Sequence, residues 1–479
     1  MSNAPSLVWF RLDLRLEDNP ALAAAVQRGG PVIPVYIYAP GEEYPWAPGA
    51  ASDFWLHQSL CALSLSLKHK RSRLIVRHGP SLETLQMLFR ETGADAIYWN
   101  RRYEPAVRRR DEAIKTALRT DGLCAESLNG ALLFEPWDVL TKQGGPYQVF
   151  TPFWRACLAA EEPSDPLPTP AKLAAPESWP ATEPIAALGL EPAFNWAGGI
   201  RAAWTPGEVG AANRLEAFLD DAIANYTDDR DCPAIPGTSR LSPHLHFGEI
   251  GPRQIWHAMK HALAPNATKG AEKFLPEIGW REFSHHLLYH FPQVCDEPLR
   301  AAFRNFPWAE DTRALKAWQR GQTGYPIVDA GMRELWTTGW MHNRVRMVAA
   351  SFLTKDLLIP WDEGARWFWD TLVDADLANN TQGWQWTAGC GADAAPYFRI
   401  FNPVSQGEKF DPDGAYVRQW VPELAQLPAK WIHKPWDAPS AVLKEAEVAL
   451  GRNYPHPIVD HSEARARALE AYKTIKNSQ

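Results

Sequence analysis

The chain has 479 residues, enough for two or three domains with large buried cores. With 46% hydrophobic and 22% charged residues it has the composition of an ordinary globular protein. Its net charge of −7 excludes global basic character, although a local basic patch remains compatible with nucleic acid. The outlier is tryptophan, with 23 copies; most suit packing, since indoles bury much area each, and a minority suit electron carriage or stacking on flat ligands. No two of the six cysteines form a C-x-x-C pair, which argues against structural zinc or a redox dithiol and fits a reducing cytoplasm. Charged Arg11, Asp13 and Arg15 follow a short apolar run, so no signal peptide is expected, and no apolar run reaches membrane-spanning length.

The first ~130 residues alternate strand and helix. Strand-like runs are "SLVWF" (6–10), "PVIPVYIYAP" (31–40), "RLIVRHG" (73–79), "AIYWN" (96–100) and "LCAESLNG" (123–130). Helical periodicity falls at 19–28, 52–66, 81–93 and 105–119. That rhythm predicts a doubly wound parallel sheet, whose ligands sit beyond the carboxyl ends of the strands. Those ends carry "RLDLRLEDNP" and "NRRYEP", with no phosphate-cradling glycine fingerprint. Eight prolines between 163 and 192 forbid long regular elements and mark a linker. From about 207 the texture is helical, through "EVGAANRLEAFLDDAIANY", "PRQIWHAMKHAL", "AEKFLPEIGWREFSHHLLYHF", "GMRELWTTGWMHNRVRMVAASFLTKDLL" and "GARWFWDTLVDADLANN". The resulting partition is 1–133 α/β, 134–205 linker and 206–479 helical.

Four segments of the helical half can carry chemistry. "GTSRLSPHLHFGEI" offers hydroxyls and backbone N–H groups at an expected helix start, suited to phosphate or to a plain N-cap. Its His244 and His246 have no acidic or cysteine partner at ligand spacing, so no metal is expected. In "EIGWREFSHH", Glu277 and Arg281 stand four apart, as an i,i+4 ion pair or as a carboxyl held in a cavity. "TGWMHNRVRM" gathers Asn343, Arg344, Arg346 and Met347, able to meet a base edge, a phosphate and an apolar face. "DADLANNTQGWQWTAGC" (374–390) puts acids, amides and two indoles together, too polar for an ordinary core helix and too aromatic for an ordinary loop.

These segments, with "WREF", "FLTKDLL", "DAAPYFRIFNPVSQGEKFD" and "YVRQWVPEL" in order along nearly the whole chain, resemble the photolyase/cryptochrome family, most of all bacterial cyclobutane pyrimidine dimer photolyases of class I and class III. The resemblance implies a Rossmann-like antenna domain joined by a long linker to an all-helical FAD-binding domain. It implies that Tyr226, Thr238, Ser239, Arg240, Leu241 and Ser242 hold the FAD phosphates, and that Arg281, Arg346, Asp374, Asp376 and Asn380 surround the ring and ribose, Asn380 facing flavin N5. Phe274 stands where relatives often have tryptophan. The dimer pocket implied is Glu277, Trp280, Asn343, Met347 and Trp386, and the electron chain Trp384, Trp361 and Trp308. Arg230, Arg344, Arg399 and Lys409 are implied to grip DNA phosphates around an extruded lesion. The activity implied is blue-light-driven electron transfer from reduced FAD to a pyrimidine dimer in UV-damaged DNA.

Two rival readings are a signalling cryptochrome and a light-independent flavin electron carrier. Asn380, Glu277 and Trp386, and an end soon after the shared region, favour repair over signalling. Asn343 and Met347 stand where (6-4) photolyases usually have histidines. For the antenna, 5,10-methenyltetrahydrofolate is favoured, with Glu43, Trp46 and Trp55 as one expected lining, although "NRRYEPAVRRRD" departs from a well-known folate-binding pattern. A cytoplasmic monomer is expected.

Overall fold

The structure, a computed structural model, describes residues 4–263, 269–394 and 399–476. Residues 395–398 of the "DAAPYFRIF" motif lie outside it. By contact density the chain divides into two units. The first comprises 1–224, 239–292 and 373–377; the second comprises 225–238, 293–372 and 378–479.

The first unit is built on five parallel strands in the order β3-β2-β1-β4-β5: β1 (Ser6–Phe10), β2 (Val32–Tyr38), β3 (Ile75–His78), β4 (Ala96–Asn100) and β5 (Cys124–Leu128). Every residue of β1 and β4 is buried, as expected of central strands covered on both faces. One layer packs Trp9, Ile33, Val35 and Trp99 on Leu85, Leu88, Ile114 and Leu118 from the crossover helices α3 (Ser81–Thr92) and α4 (Pro105–Thr120). Trp9 and Trp99 meet edge to face at 6.0 Å across adjacent strands. α1 (Pro20–Arg28) starts where Asn19 accepts from the Leu22 amide, with Pro20 in the first turn. α2 (Ala50–His69) buries Trp55, whose indole N–H donates to Glu249 at 3.0 Å. Strands and helices therefore fall where periodicity placed them, with ends shifted by at most a few residues. α5 (Phe150–Ala159) follows, and the proline-rich stretch after it holds only one short 3₁₀ turn, Ile185–Leu188, as fixed φ and missing N–H donors require.

In this unit the helix Lys269–His290 runs with Gly279 against the Trp154 indole; a Cβ at 279 would lie 2.5 Å from the ring. Pro276 sits inside that helix, so the Glu272 carbonyl one turn back lacks its amide partner.

The second unit is helical. The run 331–358, expected to be continuous, is broken: helix Pro326–Thr338 ends at Gly339 (φ +68°), and a new helix, Asn343–Ser351, begins four residues on. Gly331 makes the crossing possible, since a Cβ there would collide with Val345. The run 364–380 is also broken, into Trp361–Thr371 and Leu377–Ala388; Asp374 and Asp376, in the gap, belong to the first unit. The loop before Pro326 is held by the buried Asp329 carboxylate, which accepts from Thr323 N and Oγ1 (both 2.7 Å), Gly324 N (3.0 Å) and Tyr454 Oη (2.8 Å). Removing an acceptor that satisfies four buried donors leaves them unpaired. Asp329→Ala should therefore lower stability by about 3 kcal/mol or more, read as an earlier urea midpoint in tryptophan fluorescence; an unchanged midpoint would mean that water replaces the carboxylate.

Candidate functional site: a switch-point cavity, a helical stripe and a tryptophan helix

In the first unit a cavity opens beyond the carboxyl ends of β1 and β4, where the strand order reverses. Asp13, Asn100, Arg102, Glu104, Arg281, His285 and Asp376 all line it. Asn100 donates to Asp13 (2.6 Å) and Asn19 (2.8 Å). Arg102 bridges Glu43 (2.6 Å) and Glu104 (2.8 Å). Burial alone would depress the Arg102 pKa, yet the two carboxylates hold it well above the usual value.

Helical geometry explains how four of the side chains share one face. Phe274, Glu277, Arg281 and His285 follow i, i+3, i+7, i+11 along Lys269–His290 and form one stripe. The expected Glu277–Arg281 pair is not what Arg281 makes. Its Nη1 donates to the Ala131 carbonyl at 2.7 Å and lies 3.5 Å from Glu282. Further along the stripe, His285 stands 3.4 Å from Asp376, and His246 reaches the same carboxylate at 3.9 Å. Burial would raise the Asp376 pKa, but the two histidines hold it well below the carboxylate range; the His285 pKa is correspondingly raised against its own burial. Asp376 is thus a half-buried carboxylate held in its ionised form by its histidine partners. Of the H-x-H pair, only His246 faces this carboxylate; His244 Nδ1 meets Glu249 at 2.5 Å instead.

Glu277 and Trp280 are half-buried. One face of the Trp280 indole is covered by Phe150, stacked at 3.8 Å with 9° between planes. Phe274 packs on Phe218 at 4.8 Å, a plain core contact where tryptophan was the family's usual choice. Of the expected phosphate-binding run, Ser239–Ser242 belong to this unit, and Thr238 and Tyr226 to the other. Arg240 has φ +51°, a left-handed conformation that bends the chain into the helix starting at Ser242, and its guanidinium lies 4.6 Å over Trp204.

In the second unit, His342 caps the helix Asn343–Ser351: its Nδ1 accepts from the Arg344 amide at 3.2 Å. Burial, reinforced by Arg344, Arg346 and Arg230, pushes the imidazole down to about 4, so the acceptor stays neutral. Asn343 is exposed at the first turn, and Met347 follows one turn later. Glu334 supports the cap from behind, accepting from the His342 amide (3.3 Å) and Tyr416 Oη (2.6 Å). Arg344 pairs with Asp231 at 2.9 Å and lies 4.3 Å over Phe410. Arg346 donates to Met341 O at 2.7 Å. Arg230 lies 5.2 Å over the buried Tyr226 ring, and Arg399 and Lys409 are exposed.

The segment "LANNTQGWQWTA" is a helix despite its polarity. Two residues along a helix turn 200°, so Trp384 and Trp386 point to opposite sides. Trp384 is 2% exposed, against Phe368 (4.9 Å) and Trp318 (6.1 Å); Trp386 is half-buried. Trp361 is 5% exposed, and Trp308, half-buried against Phe306 at 4.4 Å, is the wettest of the three expected electron carriers. Asn380 donates its amide to Ala365 O at 3.0 Å, leaving its oxygen to accept. Sequence reasoning missed His285, Trp318, Glu334 and Tyr416. Only His285 carried a signal, as the next position of the Glu277–Arg281 stripe.

Comparison with known proteins settles the family. Residues 6–171 match the family described as DNA photolyase, and residues 274–474 match the FAD binding domain of DNA photolyase. A deoxyribodipyrimidine photo-lyase of Agrobacterium fabrum is 53% identical over 100% of this chain and 99% of its own length. The chain belongs to the photolyase/cryptochrome family. Cryptochrome-1 of Arabidopsis thaliana is more distant, 42% identical over 98% of this chain and 70% of its own. The crystal structure of a class III photolyase from Agrobacterium tumefaciens superposes with a TM-score of 0.96 at 53% identity, covering 100% of this chain and 98% of that one.

Two outcomes follow from the site's packing and electrostatics. Burial pushes the Glu282 carboxyl up to about 7, against Arg281 and the amides of Leu133 and Phe134 that it accepts from at 2.9 and 3.2 Å. For a raised acid, the stabilisation of the protonated form is complete below the usual carboxyl range and is lost as pH rises through about 7. Glu282→Gln should therefore raise the melting temperature more at about pH 8 than at about pH 5; an equal offset at both would show that Glu282 does not titrate in this range. Gly364 abuts the Trp384 ring so closely that a Cβ would clash. Gly364→Ala should cost about 1–3 kcal/mol in denaturant unfolding and shift the Trp384 fluorescence, whereas a silent substitution would mean that the indole has room to move.

Proposed function

We propose that this protein is a deoxyribodipyrimidine photolyase, which uses blue light to split cyclobutane pyrimidine dimers in UV-damaged DNA. The observation that carries the reading is the pairing of full-length 53% identity to an Agrobacterium photo-lyase with retention of the whole expected lesion set, Glu277, Trp280, Asn343, Met347 and Trp386. The family's FAD suits the donor set. Asp376, kept ionised by two histidines, can accept from a ring or ribose group; Arg281 and Arg346 supply cations; Ser239, Ser242 and Thr238 supply hydroxyls. Reduced FAD, when bound, supplies the photoexcited electron that opens the cyclobutane ring.

The chain's own residues position and polarise. Glu277 and Asn343 hydrogen-bond the thymine edges, where extra charge on the dimer strengthens both bonds. Trp280 offers the indole face opposite Phe150, Trp386 a second indole, and Met347 an adaptable apolar wall. Trp384, Trp361 and Trp308, ordered by increasing exposure, carry electrons inward from solvent. Arg230, Arg399 and Lys409 hold flanking phosphates. Arg344 joins them by exchanging Asp231 for a phosphate, and so adds less to binding than a cation without a partner. The antenna reading, 5,10-methenyltetrahydrofolate, rests on the resemblance alone, because Trp55 is core and Glu43 is engaged by Arg102. A cytoplasmic monomer completes the proposal; no helix among the described residues is long and apolar enough to cross a membrane.

The deciding assay mixes flavin-loaded, reduced protein with UV-irradiated oligothymidine and follows thymine absorbance under blue light and in the dark. Recovery is expected only in the light, and Glu277→Ala or Asn343→Ala should slow it by about tenfold or more. No recovery by the reduced holoprotein would overturn the reading in favour of a signalling cryptochrome.

A further inference from the structure

A second cleft, wholly within the helical unit, has no part in the flavin or lesion chemistry. It has a volume of about 830 Å3, the size of a small-ligand pocket. One wall is the helix Thr312–Gln319 and the residue after it. Arg313, Lys316 and Arg320 fall at i, i+3, i+7 and so project from one face. The facing wall is the turn around Gly451, which contributes Arg452, and Arg333 closes the floor. The one carboxylate of the lining, Glu423, is taken by Arg333, whose Nη1 reaches both its oxygens at 3.0 and 2.8 Å. Arg313, Lys316, Arg320 and Arg452 are exposed and make no ion pair among the described residues. Five cations against one carboxylate leave four positive charges uncompensated around a single cleft, in a chain whose total is −7.

The cleft is pre-organised. Asp329 ties both walls, accepting from Thr323 and Gly324 on one side and from Tyr454 on the other. Ile458 N donates to Thr323 O at 3.0 Å. Gly324 (φ +80°) touches the 456–457 backbone so closely that no side chain fits. The backbone turn that carries Arg452 is therefore fixed opposite the helical cations before any ligand arrives, which lowers the entropic cost of binding.

We propose that this cleft binds a small, multiply phosphorylated anion, of triphosphate class, through its phosphates. Four unpaired cations match the charge of three linked phosphates. The lining favours phosphate over base: no Trp, Tyr or Phe is among the described lining residues, whose one aromatic ring is the His456 imidazole, and the Asn453 amide is committed to its own turn, accepting from Ala449 N and donating to Glu447 O, both at 2.7 Å. Nor does it build a divalent-cation site, since its only carboxylate is engaged.

The test is calorimetric titration of inorganic tripolyphosphate into the flavin-loaded full chain at low salt. Saturable one-to-one binding is expected, matched by nucleoside triphosphates whatever their base, with orthophosphate far weaker. The variant R313Q/K316Q/R320Q should lose about tenfold or more in affinity and show a shallower salt dependence, while light-dependent repair is unchanged. Arg452→Gln, on the opposite wall, should weaken binding separately, so the test stands even if the triple variant folds poorly. No saturable binding, or equal affinity in both variants, would overturn the proposal. So would an undamaged single-stranded oligonucleotide that binds the parent and loses the same factor in the variants, because the cleft would then serve a nucleic-acid backbone.

Discussion

The ionised Asp376 carboxylate is the constraint around which the first unit's site is arranged. A buried anion is costly unless paired, and here His285 and His246 converge on one carboxylate from two helices. The pairing fixes the rotation of Lys269–His290, because His285 lies on the same stripe as Arg281 and Glu277. It also pins the short non-helical stretch between Thr371 and Leu377, where Asp376 resides. Remove the charge, and neither the stripe nor the gap has a reason to stay where it is.

The same device recurs in the second unit, where buried acids hold the joints between helices. Asp329 ties the loop before Pro326 to the turn at Tyr454. Asp411 accepts the amides of Tyr416 and Val417 at 2.9 and 3.1 Å, and Asp356 meets His461 at 2.5 Å. Burial raises the pKa of all three, while amide, hydroxyl or imidazole partners pull it back down. Helices supply the bulk of the fold and satisfy their own backbones. The turns cannot, and a buried carboxylate accepting several N–H bonds is a compact way to satisfy them.

The α/β half was legible because period and punctuation agreed: Asn19 and Pro20 open α1, and β1 and β4 are apolar apart from Ser6 and Asn100 at their ends. The helical half was legible only in composition. "TTGWMHN" is helical in period, and Gly339 alone signals the break that puts Asn343 at a helix start. The Trp384 segment fitted neither an ordinary core helix nor an ordinary loop because burial of one face only is what a helix between two environments requires. Trp55, read as an antenna lining, is core because Phe247 and Glu249, nearly 200 residues away, enclose it. Contacts of that span leave no mark in local pattern. The candidate site residues were named by motif; the residues that support them were not, since Trp318 belongs to no motif and nothing in "YVRQWVPEL" signals that Tyr416 bonds Glu334.

The two-residue spacing of Trp384 and Trp386 has a consequence for how this stretch of chain can change. A 200° separation keeps one indole dry and the other wet. Inserting one residue between them would make the separation about 300°, bringing both rings within about 60° of each other on a single side. No choice of side chain repairs that, because the error lies in the count. The proline-rich stretch after α5, with almost no regular structure to keep in phase, tolerates length changes freely. Insertions and deletions among relatives should therefore gather there, while the helix from Leu377 to Ala388 varies in letters but not in number.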